Sequence, residues 1–139
     1  MNDANTAATA DPARQDDDAI RFVLDGKILS VADLPPTTTV LEFLREHLGR
    51  TGTKEGCAEG DCGACTVVVA RCTPGESAAL AWNAINACIR PLPTLDGAAL
   101  FTVESLKDPD GALHPVQTAM VECHASQCGF CTPGFVMSL

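Results

Sequence analysis

Three cysteines crowd into the segment Cys57-Ala58-Glu59-Gly60-Asp61-Cys62-Gly63-Ala64-Cys65, and a fourth, Cys88, follows further along the chain. The spacing C-x4-C-x2-C with one remote partner is the ligand pattern of a plant-type [2Fe–2S] cluster, three thiolates from one loop and one from a distant segment. Gly56, Gly60 and Gly63 are interleaved with the thiols. A loop that wraps a cluster turns tightly, often at positive φ, and aims its amide N–H groups at sulfur, which glycine permits without steric cost. The remainder of the chain is read as the scaffold for this loop.

Other chemistry for the same thiols has to be weighed. Zinc sites usually pair two short-spaced couples, whereas here a group of three is joined by a single cysteine. Disulfides are disfavoured in a reducing compartment. The N-terminus carries no charged-then-apolar leader, and no apolar run approaches the ~20 residues that span a bilayer, so a cytoplasmic location away from membranes is expected. The chain of 139 residues carries a net charge of −9 with no run of Lys and Arg, which argues against nucleic-acid binding.

Residues 1–18 are small, polar and acidic, with five Asp and one Arg, and read as a disordered tail. Order is expected from Ile20-Arg21-Phe22-Val23-Leu24, whose Asp25-Gly26 ending favours a tight hairpin into Ile28–Val31. Thr39 and Glu42 form a capping box for a helix over about 40–48, with Val40, Leu41, Leu44 and Leu48 as its apolar stripe and Gly49 as its C-terminal cap. Thr66–Ala70 is a β-branched run that suits a buried strand. Residues 71–79 read as a surface turn around Pro74-Gly75, Leu80–Ile89 as a strand delivering Cys88, and Leu100–Val103 as a last strand. Two strands, a helix and a cysteine loop suggest a sheet wrapped over one helix.

The pattern then changes. Lys107-Asp108-Pro109-Asp110-Gly111 breaks regular structure, and Pro115 opens a helix whose Val116, Ala119, Met120 and Cys123 share a face. Thr132-Pro133 reads as the N-cap and first residue of another helix. The expected division is a tail over 1–18, a first domain over 19–106 and the start of a helical second domain over 107–139. Cys128-x2-Cys131 supplies two thiolates, half of a second metal site; a thioredoxin-like pair would need a βαβ setting that the flanks lack. Cys72 and Cys123 read as incidental thiols, and His47 and His114 as solvent-facing or capping residues. His124 lacks the second His–Cys couple of a Rieske centre. The stretch from Gly49 to Lys54 has no G-K-[ST] ending, so it is no phosphate loop. No catalytic residues are found.

Thr51-Gly52-Thr53-Lys54-Glu55-Gly56-Cys57, Cys65-Thr66-Val67, Asn86-Ala87-Cys88, Leu113-His114-Pro115-Val116-Gln117 and Ser126-Gln127-Cys128-Gly129-Phe130-Cys131-Thr132-Pro133-Gly134 together resemble the molybdenum hydroxylase family over about residues 20–139. The resemblance implies an α+β fold, a β-grasp ferredoxin-like domain followed by the truncated start of a helical [2Fe–2S]-binding domain. It maps the first cluster onto Cys57, Cys62, Cys65 and Cys88, and half of a second onto Cys128 and Cys131, whose later C-x-C partners are absent. An N-terminal fragment with an incomplete second site is therefore expected. The resemblance also places Gln127 near the molybdopterin of a large molybdenum-containing subunit. It implies an FAD domain in the same full-length subunit, and electron flow from molybdenum through the clusters to FAD and NAD. Glu55 and Asp61 favour the xanthine-oxidising branch over carbon monoxide or isoquinoline relatives. The competing readings are a stand-alone ferredoxin, a subunit of an aldehyde-oxidising relative, and a zinc-stabilised interaction module.

Overall fold

The structure, a computed structural model, describes residues 18–73 and 79–139. The tail before residue 18 and the turn expected around Pro74-Gly75 lie outside the described residues. Strand β1 (Ile20–Leu24) turns at Asp25 and Gly26, with φ of 51° and 73°, into the antiparallel strand β2 (Lys27–Val31). Two consecutive residues at positive φ are what a two-residue hairpin matched to strand twist demands. Strands β3 (Thr66–Cys72), β4 (Leu80–Asn86) and β5 (Ala99–Phe101) complete a five-stranded sheet in the order β2-β1-β5-β3-β4. The β1–β5 pair is parallel, Val23 opposite Ala99, while the other pairs are antiparallel.

Helix α1 crosses one face of this sheet. It starts as an α-helical turn over Val40–Glu42 and continues with π-helical bonding over Phe43–His47. The capping box forms as its residue types dictate: Glu42 N–H donates to Thr39 Oγ1 (3.1 Å), and Thr39 N–H to Glu42 Oε2 (2.7 Å). The wider turn, with Leu48 N–H reaching the Phe43 carbonyl, changes which side chains face the sheet. Phe43 is buried and meets Phe22 edge-on at 6.0 Å, while Leu48, expected on the apolar stripe at ordinary helical spacing, is 38% exposed. A register of 3.6 residues per turn could not anticipate that exchange. Gly49 follows at φ 65°, as a C-terminal cap should.

The core joins Phe22 and Leu24 of β1, Val67 and Val69 of β3, and Leu100 of β5 to Val40, Leu41, Phe43 and Leu44 of α1. Leu92 and Leu95, on a short 3₁₀ turn over Leu92–Leu95, close one end at zero exposure. Cys65 and Cys88 belong to the same buried group, so the inner wall of the cysteine site is core. Strand β4 ends at Asn86, so Cys88 lies beyond the strand rather than on it. The last strand covers Ala99–Phe101, and Val103 opens a 3₁₀ turn (Val103–Leu106) instead of extending it.

Two helices follow. In α2 (Pro115–Glu122), His114 caps the first turn: its Nδ1 accepts from Val116 N–H (3.4 Å) and its own N–H donates to Gln117 Oε1 (3.1 Å). None of its residues is fully buried, and Ala119 and Cys123 are exposed, so the face expected from Val116, Ala119, Met120 and Cys123 is only partly covered. Helix α3 (Thr132–Val136) starts with Thr132 as its first residue, and Cys131 occupies the cap position expected for Thr132.

Candidate metal centre

The stretch before the first cysteine is held at both ends. Arg45 Nη1 donates to the Thr53 carbonyl (2.9 Å) and, more weakly, to that of Thr51 (3.3 Å). Arg50 pairs with Asp25 in the hairpin turn and donates to Thr102 Oγ1 (2.9 Å), and Glu104 accepts the Gly52 N–H (2.8 Å). A β-carbon on Gly52 would come within 2.7 Å of side-chain atoms of both Glu104 and Val103. The segment that resembles a phosphate loop in its glycines therefore serves to anchor the cysteine loop. Burial would raise the Asp25 carboxyl, but hydrogen bonds from Arg50 and Ser105 outweigh it and leave the group below the usual carboxylate range.

Beyond this anchor the backbone folds around the sulfurs. Ala58, Gly60 and Gly63 take φ of 58°, 83° and 72°, and the N–H groups of Glu59, Asp61 and Cys62 turn inward. Cys57 Sγ accepts from Cys62 N–H (3.3 Å), Asp61 N–H (3.3 Å) and Glu59 N–H (3.5 Å), and Cys62 Sγ accepts from Cys57 N–H (3.4 Å). These donors, Cys62 N–H foremost, bring the Cys57 thiol down to about 6, within reach of neutral pH as a thiolate. Burial, together with a hydrogen bond to the adjacent Cys65, pushes the Cys88 thiol up to about 11.

The four thiols thus fall into two couples, Cys57 with Cys62 at the rim and Cys65 with Cys88 against the core. Among the described residues no three Cys, His, Asp or Glu side chains stand where one ion could join them. A binuclear cluster asks for less, since each iron takes two protein thiolates and the bridging sulfides supply the rest. The donor set fits such a cluster. Inward N–H groups are already in place to satisfy sulfur, and Gly56 leaves room that a β-carbon, 2.7 Å from Cys62 Sγ, would take.

Several contributors carry no chemistry of their own and were not singled out as site residues from the sequence. The Asn86 side chain donates to the Gly60 carbonyl and so ties the loop to the end of β4. Ile89 lies against Gly60, with its Cδ1 2.5 Å from where a β-carbon would stand. The segment Asn86-Ala87-Cys88 was a visible motif, but nothing in it announced that Asn86 grips the opposite loop.

Cys128 and Cys131 lie in the exposed turn before α3, together with Gln127. Ser126 Oγ and Thr132 Oγ1, 2.7 Å apart, close that turn, and Gly129 takes φ 83° within it. Two thiolates can hold half of a cluster and no more. Cys62 and Gly63 of the first site and Cys131, Thr132 and Phe135 of this part of the chain line one cavity of about 350 Å³. Cys72 and Cys123 are exposed thiols, and His47 stacks on Phe43 at 5.8 Å.

The family described as "2Fe-2S iron-sulfur cluster binding domain" matches residues 22–92, and a second, "[2Fe-2S] binding domain", matches residues 102–139. The chain belongs to the 2Fe-2S iron-sulfur cluster binding domain family. It is 46% identical over 118 residues to xanthine dehydrogenase of Drosophila pseudoobscura pseudoobscura, covering 85% of this chain and 9% of that protein. It is 45% identical over 118 residues to aldehyde oxidase 1 of Bos taurus, with the same coverage of 85% and 9%. Among solved structures, the aldehyde oxidoreductase of Desulfovibrio desulfuricans superposes with a TM-score of 0.71 at 34% identity, over 87% of this chain and 12% of that one. The chain therefore spans about a tenth of the length of these relatives. The β-grasp, ferredoxin-like fold implied by the cysteine loop and its flanking motifs is the fold observed.

Proposed function

We propose that this chain carries electrons one at a time through [2Fe–2S] clusters within a molybdenum hydroxylase of the xanthine dehydrogenase kind. The pairing of the thiols, Cys57 with Cys62 and Cys65 with Cys88, carries the reading, because it matches the two-plus-two thiolate set of a binuclear cluster. Cys57, Cys62, Cys65 and Cys88 would hold the first cluster. Cys128 and Cys131 would hold half of the second, completed by thiolates from a further segment or another chain. When bound, such a cluster supplies a one-electron couple of low potential, ~−400 mV before tuning. The loop's own part is to fix the thiolates, donate N–H to sulfur and keep the inner couple away from water.

Residues 19–106 and 107–139 would then be two electron-transfer units of a larger cytoplasmic assembly. Among the described residues no helix is long and apolar enough to cross a membrane. Gln127, exposed beside Cys128, would face the molybdopterin of a molybdenum-containing subunit, and an FAD domain would take electrons from the first cluster. The chemistry on substrate belongs to that subunit. Identity to xanthine dehydrogenase and to aldehyde oxidase is nearly equal, and Glu55 and Asp61 set the xanthine-type reading apart only from the carbon monoxide and isoquinoline relatives.

Anaerobic reconstitution with iron and sulfide tests the first site. About two irons per chain with visible charge-transfer bands are expected; a colourless protein holding one zinc would overturn the reading. Co-purification with a molybdenum-bearing partner, and reduction of NAD by that assembly with xanthine and not with an aldehyde, test the wider assignment.

A further inference from the structure

The two thiol couples of the first site sit on different pieces of the fold. Cys65 and Cys88 belong to the β3–β4 pair, where Thr66 lies opposite Asn86 and the Ala87 N–H donates to the Cys65 carbonyl (3.2 Å). Cys57 and Cys62 belong to the loop. That loop is fixed to the sheet where it ends, since the Gly63 carbonyl accepts from Thr66 N–H (3.1 Å) and Thr66 Oγ1–H (2.7 Å). Gly134 of α3 backs the same carbonyl so closely that a β-carbon there would come within 2.1 Å of it. In the middle of the loop, Gly60 is gripped by the segment that bears Cys88. The Asn86 side-chain amide donates to the Gly60 carbonyl. The Gly60 N–H points toward Cys88 Sγ. Ile89 takes the place a side chain would need, with its Cδ1, Cγ1 and Cγ2 at 2.5, 3.2 and 3.4 Å from the β-carbon position.

We propose that Asn86 and Ile89 are positioning residues that set the span between the rim couple and the inner couple. The inference rests on the function proposed above. A binuclear cluster accepts its two pairs of thiolates at one separation, and groups behind the ligands hold them there. The glycines of the loop leave its backbone many paths, so the spacing of its cysteines does not by itself fix that separation. A tether from the other piece does. Carbonyl and N–H of one trans peptide unit point in opposite directions. Asn86, by holding the Gly60 carbonyl, therefore aims the N–H of the same unit, that of Asp61, at Cys57 Sγ (3.3 Å). The neighbouring Gly60 N–H turns to Cys88, so one residue of backbone addresses a sulfur of each couple. The tether has little slack. Asn86 is short and ends β4, whose place beside Cys65 is set by strand pairing. An amide is required because the partner is a carbonyl oxygen; a carboxylate of the same shape has no proton to offer it.

The test uses the full chain, both loaded with iron and sulfide and metal-free. Asn86→Asp keeps the shape and loses the donor, and Asn86→Ala loses both. Each should take up iron, yet release it to a ferrous chelator several-fold faster than wild type. The visible circular dichroism of the loaded chain, which reports how thiolates are disposed about the irons, should shift. In the metal-free variants the Asp61 amide should exchange several-fold faster while β3 keeps its wild-type protection. Should both variants fail to fold, Ile89→Ala carries the test. It touches no hydrogen bond of the grip, Ile89 is 56% exposed, and release should speed in the same way. Wild-type release and dichroism in Asn86→Asp, or in Ile89→Ala where that variant stands in, overturn the positioning role. A wild-type chain that takes up one zinc and no iron would instead overturn the function on which the inference rests.

Discussion

Single serine substitutions at Cys57, Cys62, Cys65 and Cys88 should each abolish the charge-transfer bands of the reconstituted chain, while Cys72→Ser should leave them intact. An unchanged spectrum in Cys88→Ser would break the ligand set. Gly56→Ala should fold normally by circular dichroism but take up little iron, since its new methyl would stand 2.7 Å from Cys62 Sγ. The two shifted thiols make a pH prediction for the metal-free chain. The Cys57 thiol, lowered to about 6 by N–H donors led by that of Cys62, should be alkylated at a rate that rises through pH 6 and levels off by neutrality. The Cys88 thiol, raised to about 11 by burial and by Cys65, should stay protonated and unreactive across that range. Mass spectrometry of peptides alkylated at a series of pH values would decide, and equal labelling of both thiols at pH 7 would contradict the geometry. At this scale the ligand residues were legible, because metal-binding thiols announce themselves by type and spacing. Their supports were not. Asn86, Gly134 and Glu104 act through single contacts with loops distant in sequence, and no local pattern marks such residues.

Helix α1 shows what local patterns can and cannot carry. Its start was readable from Thr39 and Glu42, because a capping box is a contact between neighbours in sequence. Its buried face was read partly wrong, because a π-helical turn rotates Phe43 inward and Leu48 outward. The two residues therefore offer a direct comparison. Phe43→Ala should cost about 3–5 kcal/mol, as removal of a buried aromatic does. Leu48→Ala should cost well under half of that, since a partly exposed leucine gives up little buried area on truncation. Denaturant titration of both variants settles the matter, and a larger loss for Leu48→Ala would mean the helix keeps ordinary α-helical register. Strands β1 and β3 were legible from their β-branched and alternating residues. The pairing of β1 with β5 was not, because parallel partners remote in sequence leave no trace in either strand alone.

At the scale of the molecule the two cysteine-bearing parts differ in how they are held. The sheet and α1 enclose a continuous core, whereas α2 buries none of its residues and Leu113, Val121, Phe130 and Phe135 stand exposed around it. Amide hydrogen exchange should follow that contrast, with β3 and β5 protected to nearly the global unfolding free energy and α2 exchanging through low-energy local opening. Protection of α2 equal to that of β3 would show that the helical part is fixed more firmly than its packing suggests. The acid limb of stability has a definite sign as well. Asp25 is depressed below its ordinary value of 3.8, so its pairing with Arg50 stabilises the fold above that pH and is lost as the pH falls through the lowered value. Asp25→Asn should flatten that limb by less than about 1 kcal/mol, because the Asp25 side chain is 42% exposed and solvent screens the pair.

The parallel pairing of Val23 with Ala99 also has a consequence in time. Every thiol of the first site is encoded between those two strands, so the central seam of the sheet cannot zip until the ribosome has released all four. A closure of such long sequence separation is slow, and it comes late. Until then Cys65 and Cys88 are held together only by the β3–β4 hairpin and α1, through Ala87 N–H to the Cys65 carbonyl (3.2 Å) and Leu41 N–H to the Ala87 carbonyl (3.1 Å). Iron delivered during synthesis would therefore meet both couples on a sheet whose central seam is still open.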